Sequence, residues 1–283
     1  MKVALAFAAK QDNNYLKEFV EHYLSIGIDT VILIDNNEIY GENPIDVLKD
    51  YMDKIVYLDR RGDHTETRQW DYYTRIYRDF NRDFDWICFF DSDEYLFLNK
   101  HNTIQSWLSM RCFENADVVA PNWKMYSDNN LIFYENRPVL ERFKTACPLD
   151  FRAGYDFPHN NHTKTIIHCR SRKDIVFRHP HFAESTTCNP LITVNSAGQE
   201  MHSGWPFCDY NFEYAELRHY QTKSTEEFCH RRLSQKRNYC MRRFDSTVID
   251  INKEIEYYFM LNEFSKEKMA FIKRFLSNNH QSD

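Results

Sequence analysis

The stretch DWICFFDSDEYL, residues 85–96, runs an apolar segment straight into three carboxylates, Asp91, Asp93 and Glu94. WICFF, residues 86–90, reads as a strand buried on both faces, because it is apolar without alternation. Like charges this close repel, and buried carboxylates are costly unless cations pair with them. The reading of the chain turns on what neutralises these acids.

Working outward, strands and helices alternate through the first hundred residues. Residues 3–9 form a continuous apolar run. Residues 15–25 place Leu16, Phe19, Val20, Tyr23 and Leu24 at helical spacing, and Gly27 stops that helix. TVILID (30–35) is a second strand, and PIDVLKDYM a second helix with Pro44 at its start. KIVYL (54–58) is a third strand, and residues 65–80 a third helix before WICFF. This alternation predicts an α/β fold, a Rossmann-like, mostly parallel sheet flanked by helices. Further on, a strand is expected over 116–120, and KTIIHC and DIVFRHPHF are expected to pair. Residues 189–213 read as an irregular acceptor loop or lid. Residues 222–243 and 253–276 read as helical. The expected organisation is one domain over 1–243 and a helical C-terminal extension over 244–283.

Composition narrows the function. The chain has 283 residues, enough for one large domain, and a net charge of −6, which argues against a surface built to cover nucleic acid. The segment HRRLSQKRNYCMRR (230–243) is basic and free of acids, either a solvated helix face or a surface for phosphates or anionic lipid. Eight cysteines without CxxC or zinc spacing fit a reduced setting. MKVALAFAAK is followed at once by polar QDNN, so it reads as a first strand rather than a leader. The expected location is cytoplasmic. In residues 253–276, apolar Ile255, Phe259, Phe271 and Phe275 lie among Lys266, Lys268, Lys273 and Arg274. That helix is expected to pack on the domain or in a homodimer, or to dock peripherally on the inner membrane face.

Ligands of parallel α/β sheets bind beyond the carboxyl ends of strands, where Asp91 and Asp93 fall. Hard oxygen ligands attract Mg²⁺ or Mn²⁺, which bind phosphate oxygens. A divalent ion and a diphosphate would therefore neutralise the acids. Phosphatases with DxDx[TV] place the motif near the first strand with Asp as nucleophile. Here the strand is the fourth and the fifth position is Tyr95. Nucleotide-sugar glycosyltransferases of the GT-A type place DxD on a later strand as a metal bridge to the diphosphate. Sugar nucleotidyltransferases need an N-terminal Gly-rich loop, and no glycine precedes Gly27.

Several segments together resemble the family 2 and family 92 type of glycosyltransferase. They are Lys10-Gln11-Asp12, EFVEHYLSIGID, ILIDNN, Gln69 ahead of DWICFFDSDEYL, NWKMYSD, VLERF, KTII and LRHYQTKSTEEF, spanning about residues 3–230. The chain departs from that pattern in Lys10-Gln11-Asp12, where the family has K-N-E, and in Ser127-Asp128-Asn129, where it has a Gly-rich turn. The resemblance implies a GT-A fold and an inverting, metal-dependent hexosyltransferase. The donor would be a nucleotide sugar, a UDP-sugar of the UDP-galactose type. The acceptor would be a glycan or lipid-linked glycan, as in bacterial surface polysaccharide synthesis. It implies Mn²⁺ or Mg²⁺ on Asp91, Asp93 and His219, with His179 and His181 as rivals for the imidazole ligand. Donor contacts would come from Lys10, Asp35 (uracil or ribose), Gln69 and Asp91. Lys164, Lys223 and the Lys236-Arg237 pair would face the leaving diphosphate. Glu141 would be the general base, with Asp156 and Glu184 as alternatives. The readings from other classes are a non-catalytic sugar or nucleotide-sugar binding module and a DxD phosphatase.

Overall fold

The computed structural model describes residues 1–62, 69–170, 172–202, 205–234 and 250–279. The chain forms two compact units, residues 1–124 with 160–219, and residues 125–159 with 220–283. The expected boundary at residue 243 falls, in sequence, inside the second of these.

The first unit is a mixed α/β layer structure. Its elements begin β1 (Val3–Ala9), α1 (Asn13–Ser25), β2 (Thr30–Asp35), α2 (Ile45–Leu48), β3 (Ile55–Asp59), α3 (Gln69–Phe80) and β4 (Trp86–Phe89). They continue with β5 (Glu94–Leu98), α4 (Ile104–Leu108), β6 (Val118–Ala120) and β7 (Trp123–Met125), where the chain enters the second unit. After its return come β8 (Thr165–His168), β9 (Ile175–His179), β10 (Phe182–Ser185), β11 (Thr193–Asn195), β12 (Glu200–Met201) and β13 (Ala215–His219).

Eight strands make the central sheet, in the order β12-β11-β6-β8-β4-β1-β2-β3. The run β3-β2-β1-β4 is parallel throughout, as the alternating sequence predicts. Its strands are apolar on both faces: in β1 every side chain but one is fully buried. Tyr73, Ile76 and Tyr77 of α3 join Ile34, Ile87, Phe89 and Phe177 in the core on one side of the sheet. Helix α1 ends where expected, with Gly27 at φ +99° taking a conformation that side chains disfavour.

Three expectations are corrected. KTIIHC and DIVFRHPHF do not pair with each other. β8 enters the central sheet antiparallel to both β4 and β6, and β9 forms a hairpin with β10. β8 reads as a free strand in sequence because its apolar run suits either site, and only burial between two sheet neighbours decides it. The stretch 225–233 is a short helix followed by a π-turn, not the start of one long helix. The stretch 253–276 is two helices. The third helix is described from Gln69, and residues 65–68 of its expected span lie outside the described residues.

The second unit holds α5 (Val139–Arg142), α6 (Thr225–Phe228), α7 (Ile251–Leu261) and α8 (Lys266–Asn279), and the last three gather around Phe228, Cys229, Leu233, Tyr258 and Ile272. The apolar residues of 253–276 thus have helix partners within this unit. Asn262 ends α7, its side-chain amide donating back to the Tyr258 carbonyl (2.8 Å) and its oxygen accepting from the Asp128 backbone N–H (2.6 Å). Asp128 is buried and takes Lys268 Nζ at 2.7 Å and the Tyr258 hydroxyl at 2.5 Å. A buried ion pair tolerates loss of one partner badly, because the remaining charge has neither water nor a counterion. Lys268→Ala is therefore expected to destabilise the second unit by about 3–5 kcal/mol. Chemical denaturation of the variant beside the parent checks it.

Candidate functional site

The acids of residues 91–94 form a tight turn between β4 and β5. The Glu94 backbone N–H donates to the Asp91 carbonyl (3.0 Å), and the Asp91 N–H donates to Glu94 Oε2 (2.8 Å). Glu94 thus caps its own turn. Its other oxygen accepts from Trp123 Nε1 at 2.8 Å, and the side chain is fully buried.

Lys164 answers the charge problem posed by the sequence. It stands one residue before β8, and the antiparallel register Phe89↔Thr165 brings it beside the end of β4. Its Nζ lies 2.7 Å from Asp91 Oδ2 and 3.5 Å from Glu94 Oε2, and its side chain has no solvent exposure. Burial would lower the ammonium's pKa, but Asp91 and Glu94 outweigh it and hold it above its ordinary value. Burial in turn pushes Glu94 well above the carboxylate range, opposed by Lys164. Lys164 stays charged here, because two carboxylates face it. The sequence-based role for Lys164 was the leaving diphosphate; the structure aims its charge at the motif itself.

Asp91 is also held from α3. Gln69 Nε2 donates to its Oδ1 (2.8 Å) and to the Tyr73 hydroxyl (2.6 Å). Both oxygens of Asp91 therefore carry protein bonds. Asp93 is buried, and His219 Nε2 lies 3.5 Å from its Oδ1. What brings them together is a strand pair that the sequence reading missed. β5 runs antiparallel to β13 with His219 opposite Glu94. The unbroken apolar run YLFL (95–98) was its only signal, and it follows the acids directly. Burial lowers the His219 pKa, opposed by Asp93, so the imidazole is neutral near pH 7 and its Nδ1 has no hydrogen-bond partner.

Around Trp123 the site is built of rings. His162 stacks on it (5.0 Å between centroids, 16°), His219 lies at 4.3 Å, and His181 meets it edge-on at 4.8 Å. His181 accordingly packs against Trp123 and reaches the Thr163 carbonyl through Nδ1 (3.0 Å). His179 is exposed on the hairpin.

Beyond β1 and β2 a second web forms. Asp12 takes the Ser92 hydroxyl (2.9 Å) and the Lys10 backbone N–H (3.1 Å), which ties the Lys10-Gln11-Asp12 turn to the acidic turn. Gln11 N–H donates to Asn37 Oδ1 (2.8 Å). Asp35 is fully enclosed. Its Oδ1 accepts from the Asn37 backbone and side chain (3.0 and 2.7 Å), and its Oδ2 from the Tyr57 hydroxyl (2.5 Å), with Arg61 Nε at 3.6 Å. Expected to touch uracil or ribose, Asp35 instead spends its oxygens on neighbouring protein groups. Lys10 Nζ pairs with Glu38 (3.3 Å). Neither Asn37 nor Arg61 was anticipated, since single polar residues at strand ends carry no sequence signature.

The remaining expected residues belong to other elements of the chain. Glu184 is on β10, 3.9 Å from Arg178. Glu141, Asp156 and Lys223 belong to the second unit. Glu141 and Asp156 are exposed, and Lys223 is buried with φ +53° just before the Ser224–Glu227 capping box. Arg142 pairs with Glu227 (2.8 Å) rather than with Glu141. Lys236 and Arg237 lie outside the described residues, as does most of the basic segment. A cleft of about 130 Å³ among Ile34, Leu58, Arg60, Arg75, Ile76 and Asp79 includes none of Asp91, Asp93 and Glu94.

Among the described residues, no group of three or more His, Cys, Asp or Glu side chains is arranged to hold a metal alone. Asp93 and His219 supply one carboxylate and one neutral imidazole. That donor set fits Mg²⁺ or Mn²⁺, which bind through few protein groups and complete their shell with water and phosphate. It does not fit a closed structural zinc site, which needs four.

No protein-family model matches the sequence, and no curated protein matches it. Solved structures do. Residues 1–349 of S. aureus TarS in complex with UDP-GlcNAc are 11% identical, with a TM-score of 0.41 over 99% of this chain and 81% of that one. The galactosyltransferase LgtC, in complex with donor and acceptor sugar analogs, is 13% identical, with a TM-score of 0.30 over 59% and 58%. A mycobacterial protein is 14% identical over 44% of this chain, with a TM-score of 0.30, and the match spans only 41% of its length.

Two predictions follow from the site. Lys164→Met leaves two carboxylates facing each other in a buried setting and should cost about 3–5 kcal/mol of stability, read by denaturant unfolding. The second concerns pH. His179, His181 and His219 all have lowered pKa values, chiefly through burial. A histidine whose folded pKa lies below its unfolded value adds stability above about pH 6.5 that is lost as pH falls through that value. Melting temperature should therefore drop between pH 7.5 and 5.5, and His181→Asn should flatten that dependence.

Proposed function

We propose that the chain is a metal-dependent glycosyltransferase of GT-A type, moving a sugar from a UDP-sugar to a glycan hydroxyl. One observation carries the reading. The Asp91–Glu94 turn stands at the carboxyl end of β4, beside the point where the parallel order β3-β2-β1-β4 reverses direction, with Asp93 and His219 side by side. Open α/β sheets bind nucleotides at that crevice. The solved glycosyltransferases described above agree with this reading but are too distant to carry it.

Asp93 and His219 would hold Mn²⁺ or Mg²⁺. Bound there, the ion would supply positive charge to the departing diphosphate. Asp91 would reach it through water, since both its oxygens already serve Lys164 and Gln69. Lys164 fixes the turn, and Trp123 fixes Glu94, so the metal carboxylate is positioned before the donor arrives. Lys10 and the Asn37–Asp35 web flank the nucleotide side; Lys223 is proposed at the diphosphate. The reaction would invert the anomeric centre, which needs one base to take the acceptor's proton. Glu141 is proposed for it, with Asp156 and Glu184 as the other carboxylates. The donor sugar is proposed as a galactose-type hexose, and the acceptor as a glycan or lipid-linked glycan of a bacterial surface polysaccharide, at the cytoplasmic face of the membrane. No helix among the described residues is long and apolar enough to cross a membrane. The phosphatase alternative would make Asp91 a nucleophile, a poor role for a carboxylate engaged by Lys164 and Gln69.

Donor turnover tests the reading. With Mn²⁺ present, the parent should release UDP from at least one UDP-sugar. Asp93→Ala should lower that rate by at least about a hundredfold, the scale of one lost electrostatic group, with the melting curve retained. EDTA should abolish the parent's activity and added Mn²⁺ restore it. Full activity of Asp93→Ala, or full activity in EDTA, would refute the metal role.

A further inference from the structure

Helix α3 does not close over the whole sheet. Its buried residues Tyr73, Ile76 and Tyr77 join the core with the middle strands and β9. Tyr73 meets Phe177 of β9 at 5.4 Å between ring centroids, and Thr74 Oγ1 accepts from the Phe177 backbone N–H at 2.8 Å. β3 lies at the other end of this packing, as the last strand of the sheet. Leu58 of β3 and Phe80 of α3 accordingly stay half-buried. The cleft of about 130 Å³ lies at this edge.

Hydrocarbon makes up most of its wall. Ile34 and Leu58 come from paired strands, and Ile76 and Phe80 from α3, one helical turn apart. The charged lining residues are Arg60, Arg75 and Asp79. Arg75 and Asp79 are mostly exposed and face each other at 3.7 Å. Arg60 directly follows β3, and its guanidinium lies over the Tyr72 ring, 5.9 Å from the centroid. Among the described residues no carboxylate pairs with Arg60. The cleft therefore combines an apolar wall with one unanswered positive charge. A cavity of comparable size, about 150 Å³, holds one benzene ring. Such a wall offers no partners to the hydroxyls of a sugar or the amides of a base, and burying those groups unpaired is costly. One negative charge on a ligand would answer Arg60, whose guanidinium fork matches a carboxylate.

We infer that the cleft between β3 and α3 is a binding site for a small carboxylate with an apolar body of about one ring. The apolar body packs among Ile34, Leu58, Ile76 and Phe80, and the carboxylate meets Arg60. This site stands apart from the glycosyltransferase reading, because none of Asp91, Asp93, Glu94 and Lys164 lines it. Either can fail while the other stands.

Ligand-observed NMR titrations on the full chain test the assignment. The probes are benzoate, benzyl alcohol (the same ring without the charge) and acetate (the charge without the ring). Benzoate should bind the parent saturably with a dissociation constant in the millimolar range, the scale for so small a ligand. Benzyl alcohol and acetate should each bind at least about tenfold more weakly, the scale of one lost charge-assisted hydrogen bond or one lost buried ring. Arg60→Gln should weaken benzoate by roughly tenfold and leave benzyl alcohol unchanged. Leu58→Phe, which fills the cleft from its wall, should remove benzoate binding while the melting curve shows a folded chain. No saturable benzoate binding by the parent would overturn the site. Equal affinity for benzoate and benzyl alcohol, or for benzoate and acetate, would overturn its chemistry. Benzoate binding unchanged in Arg60→Gln would place the ligand elsewhere and overturn it as well, whether or not Leu58→Phe folds.

Discussion

The ion pair of Lys164 with Asp91 and Glu94 is the constraint on which the rest of the site depends. Three acids within four residues, two of them buried, would repel one another and hold the β4–β5 turn open. A fully buried ammonium between two of them removes that repulsion without any ligand. The third acid, Asp93, is then the one left beside an imidazole. The turn is held by protein groups alone, so a cation arriving with a diphosphate meets a formed pocket edge. Preorganisation of this kind lowers the cost of binding, because ordering has been done during folding.

Each partner of the acidic turn comes from a different part of the chain. Gln69 opens α3, Trp123 opens β7, Lys164 precedes β8 and His219 closes β13. Ser92 reaches back to Asp12, after β1. The turn is therefore fixed from several directions, and long-range strand pairing does most of the work. The antiparallel entry of β8 beside β4 places Lys164. The β5–β13 pair places His219. Either pairing shifted by one residue would point its key side chain to the opposite face.

Much of this was legible in the sequence, for physical reasons. Parallel strands buried on both faces write continuous apolar runs, so β1 to β4 and their helices stood out, and with them the acids at the end of β4. His219 was legible as a candidate through LRHY, although its strand was not. What the sequence hid was pairing between distant segments. KTIIHC looks the same whether it forms a hairpin or enters the central sheet. Lys164 could be read as a diphosphate ligand only because its counterions Asp91 and Glu94 lie far from it in the chain, Asp91 by 73 residues. Asp35 looked ligand-facing because a strand-end acid usually is; Tyr57 and Asn37, which enclose it, are individually unremarkable residues. The second unit is not legible because buried Asp128 joins Tyr258, Asn262 and Lys268, a link that no local pattern records.

The central claim is that Asp93 and His219 hold a divalent ion that meets a nucleoside diphosphate at the end of β4. Anomalous scattering from crystals grown with Mn²⁺ and UDP addresses it most directly. The account predicts one manganese peak within about 2.4 Å of both Asp93 and His219, bridged to the diphosphate, with Lys164 still paired to Asp91. A peak bound elsewhere, or UDP seated beyond β4 with no manganese at Asp93, would contradict it.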